Sequence, residues 1–330
     1  MPDNKMQAVV VCENGVETAE VDVPEINASQ VLVKVVACSV NRSDLLTVQG
    51  QNYGHVGGAQ KIMGASFTGE VVAVGDEAEG IAVGDRVAAT GAAGWAEYAV
   101  SNWQRALPVP SSGIELIEVA GLASGLCVMH DAIVTNGHFE AGQSMLVQGA
   151  SSGVGIIAMQ IGKFLGASMV IGTSTNAGRR GRLSDVGADM AFDSRDESWV
   201  DQVLEATDGQ GVDLIIDQVS GYTANQNMAA TRVHGRIINV GRLGGEKAEF
   251  DFNRHAERRL TYIGTTGRTR SLDEHIEVVR LAREGLWDAL ANGAFRMPID
   301  STFRLAEAGS ALERMAANQH FGRIMLTIDA

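Results

Sequence analysis

The sequence predicts an α/β protein with a β-rich first domain, a doubly wound parallel-sheet domain, and a C-terminal tail. Three observations carry this expectation. Valine-rich runs bounded by glycine crowd the stretch up to Val100. From about Val119 the pattern changes to helical segments alternating with short apolar strands. Between the two patterns, residues 143–155 read Q-S-M-L-V-Q-G-A-S-S-G-V-G, an apolar run that ends in a glycine/serine turn. An apolar helical segment, 156–165, follows directly, as in the first unit of a dinucleotide-binding fold. The boundaries are drawn at 1–118, 119–265 and 266–330.

The first domain takes strands at 6–12 and 31–36, then at 69–75, 84–90 and 95–100, each short and closed by turn residues. Many short strands at close spacing make a compact barrel or an open β-rich domain rather than βαβ units. The second domain takes a helix at 120–136 and six strands at 145–148, 169–173, 189–193, 213–217, 236–240 and 260–264. Strands this short and this apolar, separated by helices, are buried on both faces of a parallel sheet. In the tail, apolar residues recur at helical spacing over 272–290 with Ser271 as N-cap, a second helix covers 306–318, and a final strand covers 324–328.

With 330 residues the chain is long enough for two real cores. Its 40 acidic against 26 basic residues give a net charge of −14, which repels nucleic-acid phosphate and anionic lipid and excludes both as partners. The three cysteines, Cys12, Cys38 and Cys127, have neither metal-ligand spacing nor an even count, so they read as free thiols in a reducing compartment. The opening M-P-D-N-K-M-Q has no apolar signal core, and no run is read as reaching the ~20 apolar residues of a membrane span, so a cytoplasmic protein is expected.

The glycine turn supplies the cofactor-binding set Gly149, Ser151, Ser152, Gly153, Val154 and Gly155. Glycines let the backbone approach a pyrophosphate, and the N–H groups and dipole of the new helix favour its charge. Ser152 stands where a glycine is commoner, and its hydroxyl is small enough to bond phosphate. The end of the second strand chooses the cofactor. An Asp or Glu there accepts bonds from the ribose hydroxyls of NAD. Residues 172–182 instead read G-T-S-T-N-A-G-R-R-G-R, with no acid and three arginines. Ser174 and a guanidinium fork suit a 2′-phosphate, and cations are disfavoured at a helix start unless an anion offsets them. NADPH is therefore expected.

In order along the chain, V-L-V-K-V-V-A-C-S-V-N-R-S-D (31–44), G-E-V-V-A-V-G (69–75), V-G-D-R-V (83–87), W-A-E-Y-A-V (95–100), the glycine turn and the closing G-R-I-M-L-T (322–327) resemble the medium-chain dehydrogenases/reductases. The likeness is to the quinone oxidoreductase and enoyl reductase branch, and it covers essentially the whole chain. It implies a GroES-like first domain, a Rossmann cofactor domain, a tail that returns to the first domain, and an active cleft between the two. It places Arg179 on the 2′-phosphate, with Arg180 the near alternative. It places backbone groups near Val240, Gly241 and Thr265 on the nicotinamide.

Alcohol-dehydrogenase relatives hold a catalytic zinc with residues that here are Asn41, Ala65 and Ser66, and 121–125 offers no thiolate. The resemblance then implies no metal, and hydride transfer to an enone, an enoyl compound or a quinone. Tyr53, in Q-G-Q-N-Y, lies close to a tyrosine of the enoyl reductases, one residue further on. Its phenol would stabilise the developing oxyanion, the alternative being a tyrosine at a solvent-facing turn. Asn41 is the second catalytic candidate, with Ser43 or Asp44 equally a helix cap. Arg42 either meets an acidic substrate or turns outward. His275, His320 and Trp287 read as structural. A homodimer through an edge strand at 260–264 is expected. The rival readings are a metal-free alcohol dehydrogenase and a non-catalytic NADPH-binding protein.

Overall fold

The structure, a computed structural model, describes residues 5–13, 15–50, 62–110 and 113–328. The chain forms two compact units, Met1–Ser124 with Arg270–Ala330, and Gly125–Thr269. The divisions thus fall at 124/125 and 269/270, beside the 118/119 and 265/266 drawn from sequence.

In chain order the first unit begins with the hairpin β1 (Lys5–Cys12) and β2 (Gly15–Asp22), then β3 (Gln30–Val40), α1 (Arg42–Val48), β4 (Ser66–Val74), β5 (Arg86–Thr90), β6 (Tyr98–Asn102) and β7 (Ala106–Pro108). Helix α2 (Leu116–His130) continues through a wider turn at Asp131–Asn136. The second unit holds β8 (Ser144–Gln148), α3 (Gly153–Phe164), β9 (Met169–Thr173), α4 (Ala177–Arg180), β10 (Met190–Phe192), α5 (Trp199–Ala206), β11 (Val212–Asp217), α6 (Ala224–Ala230), β12 (Thr231–Asn239), α7 (Phe252–Glu257) and β13 (Thr261–Gly264). Returning to the first unit, α8 (Leu272–Ala282) leads to α9 (Asp288–Ala291), β14 (Ile299–Arg304), α10 (Ala308–Ala316) and β15 (Arg323–Thr327).

The first unit's main sheet runs β14-β15-β3-β4-β5-β7, with β6 also on β3. All its pairs are antiparallel except β14 with β15. Its core gathers Val33, Val35, Phe67 and Val87 from the strands and Trp95 from the segment before β6, with Leu312 and Met315 from α10. Each such side chain contributes about 1.5–3 kcal/mol by leaving water. In the tail, Ser271 caps α8 as its position predicts, accepting from Glu274 N at 3.2 Å while Glu274 bonds Ser271 N at 2.7 Å. Trp287 is structural: it is buried and its Nε1 donates to Pro108 O at 2.6 Å.

The second unit is one parallel sheet in the order β10-β9-β8-β11-β12-β13. Counted within the unit, that is the doubly wound order 3-2-1-4-5-6, whose direction reverses between β8 and β11. Met145, Leu146 and Val147 are fully buried, as a strand covered on both faces requires. The expectation that no segment matches a membrane span in length is corrected. Leu116–Asn136 is 21 residues long and apolar enough by composition, but 72% of its most apolar window is buried within the protein, as in a core helix.

Candidate active site

The carboxyl edge of the parallel sheet is built around the turn after β8. Gly149 sits at φ +69°, a conformation glycine adopts without strain. Ser152 is the N-cap of α3, its Oγ accepting from Gly155 N at 3.0 Å and donating to Gln218 Oε1 at 2.9 Å. In this arrangement the hydroxyl's proton is directed to Gln218 and one of its lone pairs to the start of α3. A Cβ at Gly155 would lie 2.7 Å from Gly149 O and 2.8 Å from Ala150 Cα, so only glycine lets helix and turn close this tightly. The start of α3, with Gly153 and Val154 in its first turn, keeps the N–H groups and positive dipole end that suit an anion.

The neighbouring strand ends are laced to that turn by side-chain amides and hydroxyls. Gln148 accepts from Thr173 Oγ1 at 2.6 Å and donates to Asn227 Oδ1 at 2.7 Å. Gln218 Nε2 donates to Gln148 O at 3.3 Å, across the point where strand order reverses. Ser151 Oγ and Ser174 Oγ lie 3.1 Å apart, both residues buried. At the ends of β12 and β13, Val240 N and Gly241 N donate to Asp217 O, and Thr265 N donates to Asn239 O. The fold thus brings Gly149, Ser151 to Gly155, Ser174, Val240, Gly241 and Thr265 to one edge, where open α/β sheets bind ligands.

Asp217, which the sequence reading did not single out, is the centre of this lattice. It is buried, and its Oδ1 accepts from Val219 N at 2.9 Å and Ser220 N at 2.8 Å. Burial pushes its carboxyl above the usual range, and those N–H groups pull it back. Burial, and then the charge of Asp217, push the Tyr262 phenol up to about 12. Ser220 holds φ +55°, and its Oγ donates to Gly241 O at 2.7 Å, fastening this corner to the end of β12. A polar residue closing the apolar run V-D-L-I-I-D is the only sequence signal of it.

Arg179 and Arg180 stand in the last turn of the one-turn helix α4, which Asn176 caps by accepting from Arg179 N at 2.9 Å. In a helix of one turn the first and last turns coincide, so the dipole argues neither for nor against an anion there. Arg180 pairs with Asp193 at 3.0 Å and donates to Ser174 O at 2.8 Å, so its guanidinium is committed to the protein.

In the first unit Asn41 lies at the N-cap of α1, and its carboxamide is used at both ends. Oδ1 accepts from Arg323 Nη1 at 2.6 Å, and Nδ2 donates to Ser39 O at 3.2 Å and to Ser39 Oγ at 3.3 Å. Asp44 is fully buried and accepts from Asn41 N at 2.7 Å, so it is the capping carboxylate of α1. Burial pushes it up to about 7, against the pull of Asn41 and of the Arg323 charge. Arg42 turns to Asn318, donating to its Oδ1 at 3.1 Å. Tyr53 lies outside the described residues.

Two family models match the chain: an alcohol dehydrogenase GroES-like domain over residues 27–111 and a zinc-binding dehydrogenase domain over 153–283. The chain belongs to the medium-chain dehydrogenase/reductase superfamily. It is 28% identical over 305 residues to a mycocerosic acid synthase-like polyketide synthase of Mycobacterium tuberculosis, an alignment covering 91% of this chain and 14% of that one. This medium-chain protein therefore spans a small part of such relatives. A probable oxidoreductase from Mycobacterium abscessus is 27% identical and superposes with a TM-score of 0.85, over 98% of this chain and 99% of that one. An Escherichia coli quinone oxidoreductase complexed with NADPH, 20% identical, shares the fold with a TM-score of 0.84 over 98% and 99%. The matched family models describe dehydrogenase domains, and the structures of similar fold include a probable oxidoreductase and quinone oxidoreductases.

Proposed function

We propose that this medium-chain reductase uses NADPH to reduce an activated C=C bond, in an enone or enoyl compound, or to reduce a quinone, without zinc. The observation that carries the cofactor choice is the end of β9. Ser174 is buried beside Ser151, residues 172–182 contain no carboxylate, and Arg180 is spent on Asp193; on this reading Arg179 takes the 2′-phosphate. The turn suits a pyrophosphate: Gly149 takes a positive φ that glycine adopts without strain, Gly155 has no room for a Cβ, and the first turn of α3 offers N–H groups to an anion. When bound, the cofactor supplies hydride. The protein's share is to hold it at the carboxyl edge of the sheet, through the backbone near Val240, Gly241 and Thr265, and to answer charge on the substrate oxygen. Tyr53 is the proposed hydrogen-bond donor to that oxygen and the source of the α-proton.

The donor set supports chemistry without a metal. Asn41, Ala65 and Ser66 stand where related alcohol dehydrogenases carry zinc ligands, and among the described residues no three His, Cys, Asp or Glu side chains converge. The β13 edge of the sheet is the proposed dimer contact, which light scattering checks. The deciding experiment is anaerobic NADPH consumption with a panel of enones, quinones and enoyl thioesters, wild type against Arg179→Ala. Turnover with at least one acceptor is expected. Arg179→Ala is expected to raise the KM for NADPH about tenfold or more, with little change for NADH. An enzyme that prefers NADH, with a preference unmoved in the variant, overturns the cofactor assignment.

A further inference from the structure

Arg323 opens β15 ahead of the buried run Ile324, Met325 and Leu326, and is itself only 5% exposed. Its Nε donates to Gly121 O at 3.1 Å and its Nη1 to Asn41 Oδ1 at 2.6 Å, while Nη2 is buried and unmet. Asp44, at 0% exposure, spends Oδ2 on Asn41 N and leaves Oδ1 buried and unmet. A cluster that buries two ionisable groups and satisfies each only in part is a poor stability device, since apolar side chains of the same volume would serve better. What it does achieve is to hold Asn41 at three atoms, from three directions: N by Asp44, Oδ1 by Arg323, and Nδ2 by Ser39.

We propose that Arg323 and Asp44 are positioning residues for the reductase reaction: Arg323 and Ser39 hold the Asn41 carboxamide in one orientation, and Asp44 holds the Asn41 backbone and supplies the counter-charge to Arg323, so the hold loosens when Asp44 takes up a proton. The inference rests on the reductase reading given above. Ionised Asp44 is the counter-charge to Arg323 and the stronger acceptor for Asn41 N; protonated, it is neither. The titratable groups facing Asp44 are Arg323 from β15 and Cys38 from β3. Burial, then the charge of Asp44, holds the Cys38 thiol far above its usual range, so Cys38 stays neutral. Burial lowers Arg323 only to about 10, so it stays charged. Asp44 is then the member of the cluster whose charge changes near neutral pH.

The test uses the full chain, with the acceptor that wild type turns over, from about pH 5.5 to about pH 9. Wild-type kcat is expected to fall on the acid side of about pH 7. Asp44→Asn is expected to lose that limb. Arg323→Lys keeps the charge but not the planar fork, and is expected to lower kcat about tenfold while the Kd for NADPH stays as in wild type. A wild-type kcat and profile in Arg323→Lys, or an acid limb retained in Asp44→Asn, overturns the inference. A second readout needs no turnover: the Asn41 side-chain amide resonances should shift between pH 6 and 8 in wild type and not in Asp44→Asn. If wild type reduces none of the acceptors, the reductase reading fails alone. If the Asn41 resonances are indifferent to pH, the positioning role fails whatever the activity.

Discussion

Asp217 and Asp44 are both carboxylates shut away from water, and burial raises both. They differ in what answers them. Asp217, in the cofactor-binding unit, faces two N–H groups of its own corner, and Ser220 at that corner reaches on to Gly241. Asp44, in the first unit, has one N–H and a charge that makes no direct pair with it, and one of its oxygens is unmet. The comparison separates a carboxylate that fastens backbone from one left poised to change its charge. Burial alone does not distinguish them; the donors do.

The largest expected effect breaks the fastening. Asp217→Ala leaves Val219 N and Ser220 N without their acceptor in a dry corner, at about 1–3 kcal/mol for each unmet group. A loss of about 3–5 kcal/mol in urea denaturation is expected, together with weakened NADPH binding, because Ser220 would no longer fix the end of β12. Stability within about 1 kcal/mol of wild type would show that the corner is held by its packing instead.

The sheet and its turn were readable because they are local. All six strands of the cofactor unit appear within a few residues of where the apolar runs put them, although β12 begins five residues earlier, at Thr231. Gly149 and Gly155 are required by a left-handed φ and by a backbone contact, both set by neighbours in sequence. Strands β2 and β14 escaped the reading because their residues alternate without an apolar run: β2 buries Val21 alone and β14 fully buries none. The arginines after β9 were visible as composition, but the pairing of Arg180 with Asp193 depends on β9 and β10 lying side by side. Least legible was the bond from Arg323 to Asn41, which joins opposite ends of the chain through the pairing of β15 with β3. Nothing in either motif names the other.

The second effect sharpens the comparison through pH. Unfolded, Asp44 loses its proton near 3.8; folded, it keeps it up to about 7. Folding is therefore most favoured by this group below the lower value, and the advantage is lost as pH rises to the upper one. Replacing it by Asn, which never ionises, should make the variant gain on wild type by about 1–3 kcal/mol between pH 4 and pH 8 in denaturant titrations. A gap between the two proteins that stays constant over that range would mean that Asp44 is ionised throughout, like an ordinary capping carboxylate.

The smallest effect comes from a third acid of opposite sign. Asp213 is partly buried, which raises it, but Ser144 N at 2.9 Å, Ser144 Oγ at 2.8 Å and Arg232 at 2.7 Å outweigh burial and hold it below the usual range. Its contribution is present above the ordinary carboxylate value and lost as pH falls through the depressed one, the reverse of Asp44. Arg232 is about half exposed and screened, so the pair itself adds little, and most of the stabilisation comes from Ser144 tying the start of β8 to β11. Asp213→Asn should cost about 1 kcal/mol at neutral pH and progressively less as pH is lowered below the ordinary carboxylate range, read from thermal melts at neutral and acid pH. Equal losses at the two pH values would assign the effect to shape rather than charge, and would leave Asp44 as the one acid of the three whose ionisation matters.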